Sequence, residues 1–323
     1  MLEHGGRLRM AAKHYGIALE AWTDLSTGIN PLGWPIPALP PEVWRRLPEA
    51  EDGLAAAASE YYGSPLILPA AGSQPVIQLL PRLRPASRVG LMSTSYAEHA
   101  HAWRGHQFAE LEFDTIEAKL DDLDVLVLCN PNNPTGHHFA PPTLLGWREK
   151  LARRGGWLVV DEAFVDASPE LSIAPHAGLP GLVVLRSMGK FFGLAGARVG
   201  FVLGWQSLLS RIAEELGPWT INGPARWVAA RALQDSAWQQ ATRQRLMMDS
   251  TRLGELLAKQ GLTPSGATTL FQWVIHPHAR RLHESLARQA ILTRHFDSPC
   301  SIRFGLPGSS EEWQRLEAAL QNL

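Results

Sequence analysis

The chain has 323 residues, 45% of them hydrophobic, and its 30 lysines and arginines nearly balance 31 aspartates and glutamates. A formal charge of −1 with no long block of one sign argues against a surface built for nucleic acid or acidic lipid. Two cysteines, Cys129 and Cys300, give neither a disulfide framework nor a zinc pattern, and there is no N-terminal signal core or apolar run of about eighteen residues, so a soluble, unprocessed, cytoplasmic protein is expected.

Residues 1–41 read as an extended arm. It holds a short helical piece over 10–15, the stretch Asp24-Leu25-Ser26-Thr27-Gly28-Ile29-Asn30-Pro31-Leu32-Gly33, and a loop over 31–41 crowded with proline and glycine. The arm is expected to fold back onto the C-terminal lobe. An alanine-rich helix over 53–62 stops at Gly63-Ser64-Pro65. Strand and helix then alternate: a short apolar piece at 66–69, a helix over 73–83, a strand over 88–92, a helix over 97–104 and an apolar piece at 108–113. The strand over 124–129, a helix over 142–154 and the strand over 157–160, which ends at Asp161, continue the pattern, and apolar runs at 181–186 and 199–203 add two more strands. Continuous apolar runs between amphipathic helices specify an α/β fold with a mostly parallel sheet covered on both faces. Beyond Gly204, helices over 206–216, 224–233 and 237–259 lead into strands near 268–275, 290–294 and 301–304 and a closing helix over 310–320. These patterns predict a large domain over 42–216 and a smaller α+β domain over 217–323.

Polar chemistry gathers where strands end, the place at which parallel sheets bind ligands. Gly72-Ser73-Gln74 opens a helix and offers amides and a hydroxyl to an anion, although a serine there also serves as a plain N-cap. Asn133 lies in Asn130-Pro131-Asn132-Asn133-Pro134-Thr135-Gly136, a composition that also makes ordinary turns. Asp161 ends an apolar strand and needs a partner to offset its desolvation. Lys190 follows Ser187-Met188-Gly189 between two strands, among small residues that leave room for a bulky group. That setting suits an imine-forming amine as well as a solvated loop lysine.

Taken in order, Ala71-Gly72-Ser73-Gln74, the Asn130–Gly136 turn, Asp161-Glu162-Ala163-Phe164, Lys190 and Arg198 resemble the fold-type I enzymes that use pyridoxal 5'-phosphate (PLP), the aspartate aminotransferase superfamily. The resemblance implies that Lys190 bonds the cofactor aldehyde, Asp161 meets the pyridine nitrogen and Asn133 the phenolic oxygen. It implies Tyr96 on the ring face, and Gly72, Ser73, Gln74, Ser187 and Arg198 around the phosphate. Arg303, in Ser301-Ile302-Arg303-Phe304, would grip the substrate carboxylate, since alternation points it away from Ile302 and Phe304; a surface salt bridge is the plain alternative. Two positions depart from the superfamily pattern: Phe164 and Leu47 stand where tyrosines are usual, the second one reaching a partner subunit's cofactor. A homodimer is nonetheless implied.

His4-Gly5-Gly6 and the 24–33 stretch are similar to the arm of threonine-phosphate decarboxylases, relatives of the histidinol-phosphate aminotransferases. Both groups take a phosphorylated amine, so a second phosphate site is expected at His4 and Arg294, with Asn30 and Ser26. No metal is expected: His99, His101 and His106, and His276, His278 and His283, read as solvated helix faces. The implied reaction is PLP-dependent decarboxylation of L-threonine O-3-phosphate in cobalamin biosynthesis. Transamination of the histidinol-phosphate type and a non-catalytic PLP-binding module are the alternatives.

Overall fold

The computed structural model of the chain describes residues 3–322. Among the described residues thirteen strands run in chain order as β1 (Thr23–Asp24), β2 (Ile67–Ala70), β3 (Arg88–Met92), β4 (Gln107–Leu111), β5 (Val125–Cys129), β6 (Trp157–Asp161), β7 (Leu182–Ser187), β8 (Gly200–Leu203), β9 (Gly266–Thr268), β10 (Phe271–Ile275), β11 (Ile291–Leu292), β12 (Arg294–Phe296) and β13 (Ser301–Gly305). The chain divides into two compact units. The larger comprises Trp34–Asn133 and His138–Gln240, and the smaller the chain up to Gly33, Pro134–His137 and everything from Ala241 onward.

The larger unit is built on a seven-stranded sheet of order β2-β8-β7-β6-β5-β3-β4. The run from β7 to β4 is parallel, and β8 is antiparallel to both its neighbours. Every residue of β5 and β6 is buried, because side chains alternate and both faces are covered. Val125, Val127, Val159, Val183 and Leu185 form one core with Val76 and Ile77 of the helix Gln74–Leu79 and Leu208 and Ile212 of the helix Gln206–Leu216. The intervening Leu126, Leu128, Leu158, Val160 and Val184 are buried on the other face. The larger unit extends past residue 216, where the sequence patterns end the large domain, because the helix Gly223–Gln234 packs on the helix Leu54–Tyr62.

The smaller unit carries an antiparallel sheet of order β12-β13-β10-β9, while β1 of the arm pairs in parallel with β11. The predicted strand at 290–294 is split, with β11 serving the arm and β12 serving β13. A helix over Ala279–Arg288 has no counterpart in the sequence reading. Only Ala279, Leu286 and Ala287 of it are buried, too thin a stripe to stand out.

Candidate active site

The carboxyl ends of the large sheet converge on a cavity of about 130 Å³, lined by all nine residues expected at a cofactor: Gly72, Ser73, Gln74, Tyr96, Asn133, Asp161, Ser187, Lys190 and Arg198. Sheet periodicity explains the grouping. Cys129 and Asp161 are direct partners on β5 and β6, and Asp161, Leu185 and Ser187 continue the same alternation towards the cavity.

Asp161 is almost fully buried. Its Oδ1 accepts from the Ala163 amide at 3.1 Å, and its Oδ2 lies 3.1 Å from His99 Nε2. Here the reading of His99 as a solvated helix residue is corrected: it is 4% exposed and paired with the carboxylate. His99 lies three residues after Tyr96, the N-cap of the helix Ala97–Trp103, so the two rings meet edge to face at 6.0 Å, with Tyr96 lining the cavity and His99 paired to its Asp161. That spacing was the available signal. Burial opposes an imidazolium, but hydrogen bonds to Asp161 and Cys129 outweigh it and raise His99 to about 10. Asp161 therefore has a cationic neighbour at neutral pH.

Elsewhere in the lining Gly72 has φ 80°, and a Cβ there would lie 2.9 Å from Arg198 Nη2. Only glycine lets the guanidinium approach this turn. Arg198 is itself left-handed, φ 54°, and its Nη1 donates to Ala195 O at 3.2 Å. Ser73 is the N-cap residue of Gln74–Leu79 without a side-chain capping bond, so its hydroxyl is not consumed by the helix start. Gln74 Nε2 donates to Glu98 Oε2 at 2.7 Å, and Tyr96 OH to Gln74 Oε1 at 3.5 Å. Burial pushes the Tyr96 phenol up, which keeps it neutral. Lys190 Nζ sits 5.3 Å from the centroid of the buried Phe164 ring. An arginine, hydroxyls, a glycine turn, a carboxylate and an amine lining one cavity fit a phosphorylated pyridine aldehyde. His99, Cys129 and Asp161 also bring ligand-type atoms within 4.8 Å of one another. Asp161 and Cys129 belong to the lining of this cavity, so the trio is part of the same site.

The residues expected at the substrate lie in the smaller unit, and they are not all in one place. Arg294, Arg303 and Trp273 are direct partners on β12, β13 and β10, which puts them in one row on one sheet face. Arg303 Nη2 donates to Ser26 O at 2.8 Å, and burial together with Arg294 pushes its guanidinium down to about 10. It remains charged at neutral pH. Arg294 donates to Glu3 through Nη1 (Oε2, 3.1 Å) and Nη2 (main-chain O, 3.0 Å). His4, Ser26 and Arg294 line a cavity of about 400 Å³ together with His283 and His295. Asn30 does not line that cavity; its Oδ1 accepts from the Leu32 amide at 3.0 Å and from Arg245 Nη2 at 2.7 Å. His283 departs from the solvated reading too, since its Nδ1 meets Thr293 Oγ1 at 2.9 Å.

The model of the aminotransferase class I and II family matches residues 23–320. The chain belongs to the aminotransferase class I and II family. A Pseudomonas aeruginosa protein named threonine-phosphate decarboxylase is 56% identical over 99% of this chain and 97% of its own length. A protein of the same name from Sinorhizobium sp. is 41% identical over 99% and 98%. Among solved structures, the histidinol-phosphate aminotransferase of Sinorhizobium meliloti in complex with pyridoxal-5'-phosphate superposes with a TM-score of 0.83 at 20% identity, covering 99% of this chain and 95% of that one. This likeness establishes fold-type I architecture for the family member described here, with its large mixed sheet and smaller α+β domain.

Proposed function

We propose that this chain is a PLP-dependent carboxy-lyase that converts L-threonine O-3-phosphate to (R)-1-amino-2-propanol O-2-phosphate and CO2, in cobalamin biosynthesis. The observation that carries the substrate is the likeness over almost the whole chain to the Pseudomonas protein of that name. The cavity around Lys190 and Asp161 supports the cofactor.

Bound PLP supplies an electron sink for the pair released when a bond to the substrate Cα breaks. The protein's part is attachment, orientation and proton handling. Lys190 would hold the cofactor by its aldehyde carbon, and its amine would be the group that returns a proton to the substrate Cα. Asp161, with His99 behind it, keeps the pyridine nitrogen protonated. Arg198, Ser73, Ser187 and the Gly72–Gln74 turn hold the phosphate, Tyr96 covers the ring and Asn133 donates to the phenolic oxygen. With Phe164 in place of tyrosine, no phenol joins that last contact. Arg303 takes the substrate carboxylate, and His4 and Arg294 take the substrate phosphate, with Asn30 as an outer support. Gripping both ends of the substrate selects which Cα bond stands perpendicular to the ring, and hence decarboxylation over transamination. We place the working protein in the cytoplasm as a homodimer, with no nucleic-acid or membrane partner. Among the described residues no helix is long and apolar enough to cross a membrane.

The test is a pair of assays on purified protein with PLP. Threonine phosphate should yield CO2, and histidinol phosphate with 2-oxoglutarate should yield no glutamate; glutamate without CO2 overturns the reading in favour of an aminotransferase.

A further inference from the structure

Behind the cofactor cavity lies a second polar cluster that the reaction does not touch. Alternation along β6 and β7 turns Asp161 and Ser187 to the cavity, and their chain neighbours Glu162 and Arg186 to the opposite face. There Arg186 Nη1 donates to Glu162 Oε2 at 2.6 Å, and its Nη2 donates to Asp166 Oδ1. All three side chains are no more than 3% exposed. Glu162 is held on both oxygens: Oε1 accepts from the Ile173 amide at 2.7 Å, and Oε2 also from Ser172 Oγ at 2.6 Å. The Tyr62 ring covers the guanidinium at 4.4 Å.

A buried ion cluster is a poor way to add stability, because desolvation offsets most of the attraction, and apolar side chains of similar size would fill the space as well. What it adds is direction. Hydrogen-bonded charges hold one separation, whereas apolar contacts tolerate sliding. The separation held here is that between the strand end carrying Asp161 and the one carrying Ser187 and, three residues on, Lys190. The Glu162 amide, which donates to Leu185 O at 2.9 Å, closes the same junction through the backbone.

We propose that Glu162, Arg186 and Asp166 are positioning residues for PLP: they clasp β6 to β7 from behind, and so fix the carboxylate for the ring nitrogen relative to the hydroxyl and amine for the cofactor's other groups. None of the three lines the cofactor cavity. Their effect is preorganisation of the residues that do.

This inference rests on the reading that the cavity binds PLP, and the experiment separates the two. Wild-type apoprotein and the variants Glu162→Gln and Arg186→Met are titrated with PLP well below their melting temperatures, with visible circular dichroism of the bound cofactor recorded alongside. Both variants should bind PLP roughly tenfold or more weakly and show a reduced visible signal even at saturation, a change that lower stability alone does not produce. Folded variants with affinity within twofold of wild type and an unchanged signal overturn the proposal. Hydrogen exchange on the wild type gives a second decision that requires no variant to fold. The Glu162 and Ile173 amides should be protected before PLP is added, and free exchange until it is added overturns a preformed clasp. Wild-type protein that takes up no PLP at all refutes the cofactor reading instead.

Discussion

The cavity in the larger unit and the cavity around Arg294 in the smaller one are both polar, yet they are assembled differently. The first takes its side chains from the ends of adjacent strands whose spacing the sheet fixes, and its carboxylate, Asp161, is already paired with His99. The second is roughly three times as large, at about 400 Å³ against about 130 Å³, and draws its cations from the arm, the helix Ala279–Arg288 and β12. Its most prominent cation, Arg294, is held by Glu3, an exposed residue near the start of the chain. A rigid site suits a resident cofactor, and a looser one suits a substrate that must come and go.

That contrast can be broken by mutation. The largest effect should come from Lys190→Ala, which removes both attachment and proton return; turnover should fall by roughly 10²–10⁴-fold, measured as CO2 release, with the chain still folded. Next, Arg294→Ala should raise KM for threonine phosphate by about 10- to 100-fold through loss of charged hydrogen bonds while PLP affinity stays within twofold. A parallel fall in PLP affinity would show that the two cavities are not independent. His4→Ala should act in the same direction.

A smaller effect distinguishes the charge matching of the first cavity. The folded-state pKa of His99, about 10, lies above its ordinary value of 6.5. The stability this contributes is fully present below about pH 6.5 and is lost as pH rises through 10. The apoprotein should therefore lose stability across that window, at a slope of at most about 1.4 kcal/mol per pH unit from this group, and His99→Gln should flatten the slope in pH-dependent denaturation. Smallest of all, Asn30→Ala should cost about 1–3 kcal/mol of stability by stripping hydrogen bonds from the Leu32 amide and Arg245, with a KM change below that of Arg294→Ala.

The same contrast explains what the sequence disclosed. Gly72, Asp161, Ser187 and Lys190 were legible because each sits within a few residues of an apolar run whose end is visible, and the sheet does the rest. His99 was misread because its partner is 62 positions away, and the Tyr96–His99 spacing marks a shared helix face without showing that the face is buried. Glu162 stands in the Asp161-Glu162-Ala163-Phe164 motif and Arg186 ends the apolar run at 181–186, but their pairing depends on the β6 and β7 register. In the smaller unit, Asn30 is expected at the substrate from local sequence, while the acceptor bond of its oxygen to Arg245 joins positions 215 apart and is invisible there. The split of 290–294 into β11 and β12 follows from two partners, the arm and β13, competing for one apolar run. Fold class, by contrast, rests on strand and helix periodicities that need no tertiary information.

The central claim is that the cofactor is bonded to the amine between Gly189 and Phe191. Reducing the PLP-loaded protein with borohydride and mapping the modified peptide tests it directly. The account requires the phosphopyridoxyl mass on Lys190 and its disappearance in Lys190→Ala; the same mass on another lysine, or no covalent adduct in wild-type protein, contradicts it.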